Sequence, residues 1–296
     1  MARSDQERSR RAAAGAGDRA SAGLIQRLNS LIYQAVADVL AGLAVDAAGR
    51  ILFNVRNISQ AEQVGFAVQS IYARSAPGFA RTVARGLLRL FRINTAYFRE
   101  AETPVELTES LESRMVKMIM KAYGYDMGTG AVIAGGYLDG NLRSPGHALA
   151  ISRRIAEAIA GRMPLKGFQR TFRAEFNRPG SALNAEHHYN RFARDLYHEF
   201  DRMVQGEYAR QLGLTHAVYS GTVKDNTRPF CEHRVNNVYT EEEILSWNGQ
   251  GWQGKKPGDV RINLGGYNCR HTLSWVSEET ARAIAKRRGK EINSFN

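Results

Sequence analysis

The chain has 296 residues, of which 43% are apolar, and its formal net charge is +12. The apolar content excludes an intrinsically disordered chain, and two cysteines are too few for a disulfide-stapled secreted scaffold. The longest apolar region, 31–48, is interrupted by Asp38 and Asp46, whereas a membrane span needs roughly 20 uninterrupted apolar residues. We therefore expect no transmembrane segment, and a soluble basic protein made in the cytosol.

Both ends of the chain are polar and basic. Residues 1–23 are rich in Arg, Ala, Gly and Ser and lack a periodic apolar stripe, which predicts a flexible basic arm that is ordered at most on a partner. Residues 278–296 are interpreted as a basic tail. For both segments a solvated terminus is the simplest interpretation.

Residues 24–160 have the pattern of a helical body. Apolar side chains recur at helical spacing near its start, namely Leu24, Leu28, Leu31 and Ile32. A glycine-rich connector is predicted at 124–146. This connector lacks the Gly-Lys-Ser/Thr and strand-GxGxxG-helix patterns that cradle phosphates, so we expect no nucleotide site there.

One predicted helix of this body has a face of arginines, which are Arg81, Arg85, Arg89 and Arg92. The segment 63–99 contains six arginines and no acidic residue, so the face lacks local i,i+4 partners. Such a face is either the solvated side of an amphipathic helix or a surface that contacts phosphates or an acidic protein. We favour contact with a polyanion or protein partner.

A long helix is predicted over 181–212, with one apolar face. His198-Glu199 within it begins like the helix of a zinc protease. Arg202, however, occupies the position at which that helix needs its second histidine. The departure excludes this hydrolase class.

After residue 213 the pattern changes to short β-branched and aromatic runs, at 217–223 and 271–276. The expected fold class is therefore α+β, with a mainly helical N-terminal body and a small, loop-rich, β-containing C-terminal Cys/His module.

Two Cys-x-His pairs distinguish this module, Cys231 with His233 and Cys269 with His271. On extended strands, residues i and i+2 share a face, so two facing strands would present two thiolates and two imidazoles. That donor set suits a closed, structural zinc site. Reduced cysteines with hydrogen-bonded histidines, or a Cys231–Cys269 disulfide, would explain the same residues.

The sequence around these pairs resembles the phage Mu protein F-like family, the head morphogenesis or minor capsid proteins of tailed bacteriophages. The resemblance covers about residues 165–277, a lead-in helix and the Cys/His module. The residues that carry it are Asp225, Arg228, Cys231, Asn268, Cys269 and Arg270. His233 and His271 are compatible with the metal-binding cluster suspected in the family. The sequence departs from the family at Asn237, where glycine is usual, and at 265–267, where many members have Pro and His.

The resemblance implies a structural minor head protein that acts in head morphogenesis near the portal. It implies the portal protein, the major capsid or scaffolding protein and packaged DNA as partners. The expected location is the virion, in the head interior or at the portal vertex, after assembly in the host cytoplasm. No enzymatic activity is expected.

Two alternatives remain from the residues themselves. One is a metal- or thiol-dependent enzyme, a nuclease or a transferase toxin, in which Cys231 and His233 form a thiolate–imidazole pair. The other is a zinc-containing nucleic-acid-binding protein, whose affinity would fall steeply with salt.

Overall fold

The computed structural model is mainly helical and has a small antiparallel sheet near the C-terminus, which confirms the α+β fold class. The residues that it describes are 3–101, 113, 116–117, 120–126, 131–142 and 145–287. Parts of the predicted arm, connector and tail lie outside the described residues, at 1–2, 127–130, 143–144 and 288–296.

The described helices are α1 (Arg3–Ala41), α2 (Val55–Ala101), α3 (Tyr137–Leu142), α4 (Pro145–Ala160), α5 (Leu165–Asn177), α6 (Ala185–Gln211), α7 (Pro229–Glu232), α8 (Glu241–Ser246), α9 (Val260–Asn263) and α10 (Glu278–Arg287). A 3-10 turn, Trp247–Gly249, follows α8. The strands are β1 (His216–Ser220), β2 (Val238–Thr240) and β3 (Thr272–Val276). Among the described residues, no helix is both long and apolar enough to cross a membrane.

The chain divides into two compact units, each built from separate stretches of sequence. The Cys/His unit comprises Met1–Asp18, Arg85–Glu109 and Ala193–Asn296, and the helical unit comprises Arg19–Ala84 and Ser110–Phe192. The sequence composition instead predicts domains that follow one another along the chain. The difference arises because α1, α2 and α6 are long enough for their two ends to belong to different units.

The core of the helical unit is aromatic and β-branched. Phe168, Phe172 and Phe176 lie one turn apart on α5 and are buried, which is the spacing that places side chains on one face of a helix. The same core contains buried isoleucines of α4 and valines of α2, which are Ile151, Ile155, Ile159, Val64, Val68 and Val83. Within the glycine-rich connector, Gly124 and Gly136 approach so closely that a Cβ on Gly124 would lie 2.7 Å from the Gly136 Cα.

The core of the Cys/His unit is built around α6. Leu196, Phe200 and Tyr208 are buried on its inner face, and the Tyr208 ring stacks on Phe98 of α2 with ring centroids 4.9 Å apart. Asp201 accepts a hydrogen bond from Asn94 at 2.9 Å. The predicted helix 181–212 is therefore present, between Ala185 and Gln211.

The sheet has the strand order β2-β1-β3, with both neighbouring pairs antiparallel. His216 of β1 pairs with Thr240 on one side and with Val276 on the other. The five residues of β3 are all buried. β1 and β3 occupy the two β-branched runs that the sequence predicts, and the segment that precedes β3 carries Cys269 and His271.

The segment predicted as a flexible arm is helical from Arg3 onward in the structure. Its alanines have high helix propensity, and Ala13, Ala14 and Gly17 are buried. A Cβ on Gly17 would lie 2.7 Å from the Tyr197 ring of α6. Small residues therefore allow this part of α1 to pack closely without an apolar stripe.

Candidate metal centre and adjoining cleft

The structure brings together three of the four predicted metal ligands. The Sγ atoms of Cys231 and Cys269 are 4.0 Å apart, and the Cys269 Sγ lies 3.7 Å from Nδ1 of His271. All three donor atoms lie within 4.8 Å of one another and all three residues are buried. Both cysteines are free thiols. This group, named here the Cys/His group, could hold a metal ion.

His233 lies outside the Cys/His group. Cys231 sits in the short helix α7, and His233 is the C-cap of that helix in αR conformation. Residues two apart on a helix point roughly 200° apart, so the Cys231–His233 pair does not share a face as it would on a strand. His233 is exposed. Pro229 at the start of α7 favours the helical turn.

Two glycines provide the space that the Cys/His group occupies. A Cβ on Gly265 would lie 2.3 Å from the Cys231 Sγ, and a Cβ on Gly221 would lie 2.0 Å from the His271 ring. Any larger residue at either position would displace a donor side chain. Gly265 is one of the residues at which the sequence departs from the Mu F-like pattern.

Arg202 of α6 holds the segment that carries Cys269 and His271. Its side chain is buried, and Nη1 donates to the carbonyl oxygens of Cys269 at 3.2 Å and His271 at 2.8 Å. Its Nε donates to the Ile262 carbonyl oxygen. The sequence shows Arg202 only as a departure from the zinc-protease pattern, whereas the structure gives it this positioning role.

A second contact from α6 fixes the same segment. Asp195 Oδ1 accepts a hydrogen bond from the Asn268 backbone N–H at 2.7 Å. Asn268 has a φ of 60°, a left-handed conformation that Asn tolerates better than most residues. Burial, together with the nearby Glu199 carboxylate, raises the pKa of Asp195. Sequence reasoning did not identify Asp195.

The two thiols have opposite acid–base tendencies. The hydrogen bond from Cys231, with a smaller contribution from His271, lowers the pKa of Cys269. The same sulfur–sulfur contact, together with burial, raises the pKa of Cys231. Burial and the nearby sulfurs also raise the pKa of Tyr219, whose ring centroid is 5.5 Å from that of His271.

The second nitrogen of the imidazole has no partner within the described part of the chain. Nε2 of His271 is buried and forms no hydrogen bond with the described residues. An imidazole with one nitrogen facing two thiols and the other unpartnered is unusual, because buried polar atoms are normally hydrogen-bonded.

A polar cleft of about 730 Å³ adjoins the Cys/His group. Its lining includes the three Cys/His residues together with Lys224, Arg228, Asn268, Arg270 and His198. Burial, followed by the charge of Arg202, lowers the pKa of His198 to about 4, so His198 is neutral at pH 7. The motif residues Arg228, Asn268 and Arg270 thus meet at one cleft, while Asp225 is exposed and is not among the lining residues described.

The arginine face predicted on α2 is exposed at all four positions, Arg81, Arg85, Arg89 and Arg92. Arg81 belongs to the helical unit and the other three to the Cys/His unit. Within the described residues, none of the four forms an ion pair with a carboxylate. None lines the polar cleft.

Comparisons of the chain with protein-family models, with curated proteins and with solved structures found no match.

Proposed function

We propose that this chain is a structural minor head protein of a tailed bacteriophage, which acts in head morphogenesis near the portal. The observation that carries the proposal is the meeting of the two halves of the motif. Arg228 and Cys231 are about forty residues from Asn268, Cys269 and Arg270, yet all five residues line one cleft. Residues that carry a sequence resemblance and also converge in space support a shared local structure.

We further propose that the Cys/His group binds zinc and that the ion stabilises the C-terminal module. Two zinc-bound thiolates in tetrahedral geometry have sulfurs about 3.8 Å apart, and a thiolate and an imidazole have donor atoms about 3.6 Å apart. The corresponding distances here are 4.0 and 3.7 Å. Thiolates with imidazole are also the donors that favour zinc over magnesium or calcium.

The protein's own residues define the role of such an ion. Cys231 belongs to the α7 segment, whereas Cys269 and His271 precede β3. Joining them links two loops that are distant in sequence, and Arg202 and Asp195 of α6 already hold the second loop. The bound ion would supply a cross-link in a module with little regular structure.

The arginines of α2 supply the contact with a partner in this proposal. Arg85, Arg89 and Arg92 are exposed on consecutive turns and form no ion pair with the described residues. A row of such cations suits DNA phosphates or an acidic face of the portal or shell proteins. None of these three arginines is among the residues that line the polar cleft.

The direct test of the head-protein proposal is the composition of purified particles. Particles are produced in a bacterial host that carries the gene for this chain in its phage context, purified on a density gradient and quantified by mass spectrometry against the major capsid protein. We expect the chain to be present in a few copies per particle. Its absence from particles, or hundreds of copies per particle, would contradict the proposal.

One observation favours a second candidate, a metal-dependent enzyme. The Cys/His group offers three protein donors and adjoins an open cleft, and three protein ligands with an open position are typical of catalytic rather than structural zinc. Nuclease or transferase turnover that is abolished by Cys269→Ser but retained after His233→Gln would identify this activity.

A further inference from the structure

The polar cleft combines cationic side chains with hydrogen-bond donors. Lys224, Arg228 and Arg270 all line it, and they come from two segments that the fold brings together. We propose that this cleft binds a phosphomonoester group, with these three side chains as its cationic contacts. The proposal requires neither the head-protein assignment nor a bound metal ion.

Arg228 is held in place before any ligand arrives. Its Nη2 donates to the Tyr267 carbonyl oxygen at 2.7 Å, and its guanidinium lies against Gly254, where a Cβ would be 2.8 Å from Nε. Gly254 has a φ of 80°, which glycine adopts without strain. A guanidinium fixed in this way loses little conformational entropy when it binds an anion.

The loop that carries Lys224 is also preorganised. The Thr227 hydroxyl accepts a hydrogen bond from the Lys224 N–H at 2.8 Å, and the Thr227 N–H donates to the Lys224 carbonyl oxygen at 2.8 Å. These two bonds close a tight turn. The turn holds Lys224, whose side chain is exposed, at the lining of the cleft to which Arg228 also belongs.

The charge around the cleft is one-sided. No acidic residue is among the lining residues that the structure describes. Three carboxylates of α6 have partners elsewhere: Asp195 accepts the Asn268 N–H, Glu199 is paired with Lys256, and Asp201 accepts hydrogen bonds from Asn94 and Thr272. Asp225 lies on the same loop as Lys224 and is not among the lining residues that the structure describes. Three cations without a lining carboxylate match a dianion better than a singly charged diester.

The size of the cleft sets the class of ligand. A volume of about 730 Å³ falls within the range of roughly 300–1,000 Å³ that is usual for small-molecule sites. It therefore accommodates a phosphomonoester with an attached nucleoside-sized group. Such a group is found both on free nucleotides and on the phosphorylated end of a nucleic acid.

The test is isothermal titration calorimetry on the full chain at low ionic strength, with four probes. These are inorganic phosphate, a deoxynucleoside 5′-monophosphate, a 5′-phosphorylated tetranucleotide and the same tetranucleotide with a 5′-hydroxyl. The variant Lys224→Gln/Arg270→Gln removes two cleft cations. Its matched control, Lys286→Gln/Arg287→Gln, removes the same two charges from exposed positions on α10.

We expect the phosphorylated probes to bind, and the cleft variant to weaken their binding at least tenfold, while the α10 control binds as wild type does. Stronger binding of the monophosphate assigns the site to free nucleotides, and stronger binding of the phosphorylated tetranucleotide assigns it to nucleic-acid ends. The proposal is overturned if no phosphorylated probe binds, if the two variants lose equal affinity, or if the 5′-hydroxyl tetranucleotide binds as tightly as its phosphorylated form. Melting curves of both variants establish that they are folded.

Discussion

Arg202 is the single residue on which the geometry of the Cys/His group depends most directly. It is buried on α6 and donates hydrogen bonds to three backbone carbonyl oxygens, two of which belong to Cys269 and His271 themselves. A planar guanidinium has donors in a fixed fork that can satisfy several acceptors at once. The position of two candidate ligands is thus set by a side chain that is not itself a ligand.

Arg202→Lys is expected to destabilise the protein because one ammonium cannot reach all three carbonyls. Leaving a buried acceptor unsatisfied costs about 1–3 kcal/mol, so the free energy of unfolding should fall by about 2–4 kcal/mol in urea denaturation. Arg210→Lys is the matched control on the same helix, since Arg210 is exposed and, among the described residues, forms an ion pair with Glu207 alone. Equal stability of the two variants would refute the positioning role.

Where α1 and α2 approach Tyr197 of α6, helix packing in the Cys/His unit depends on small residues. The Tyr197 ring is fully buried and lies against Gly17 of α1 and Gly86 of α2, where a Cβ would come within 2.7 and 2.5 Å of the ring. The alanine- and glycine-rich composition that suggests a flexible arm therefore also permits this close packing.

Two glycine substitutions on α1 should change stability in opposite directions. Gly23 has no atom within 4 Å of a Cβ position, so Gly23→Ala should stabilise the protein by about 0.5–1 kcal/mol through helix propensity. Gly17→Ala should destabilise it by about 1–3 kcal/mol because the methyl group collides with Tyr197. Thermal melting compares the two, and a stabilising Gly17→Ala would contradict the observed packing.

Sequence reasoning is most successful where local pattern determines structure. Helical periodicity predicts α6 within a few residues, and β-branched runs predict β1 and β3, because burial of one face imposes these periods. Non-local contacts are not visible in such patterns. The short helix that turns His233 away from Cys231 depends on the local start at Pro229, and the roles of Arg202 and Gly265 depend on loops that meet only in the folded chain.

At the scale of the whole molecule, the net charge is +12, and the basic side chains lie both on the surface and in the interior. Arg202 is used internally on carbonyl oxygens, whereas Arg85 and Arg89 are exposed on α2 and Lys224 and Arg270 line the cleft. Composition alone indicates attraction to polyanions but does not show where in the fold the charges lie. The structure places one set of cations on the surface of α2 and another along the cleft, and our proposals assign a different partner to each set.

The measurement that tests the metal proposal most directly is elemental analysis of the purified full-length chain beside Cys231→Ser, Cys269→Ser, His271→Gln and His233→Gln. We predict one zinc per chain in the wild type, retained in His233→Gln and lost, together with thermal stability, in the other three variants. His233→Gln is the matched control because it removes an exposed imidazole two residues from Cys231. Metal-free wild-type protein with two titratable thiols and unchanged folding in the cysteine variants would contradict the account, as would loss of zinc from His233→Gln.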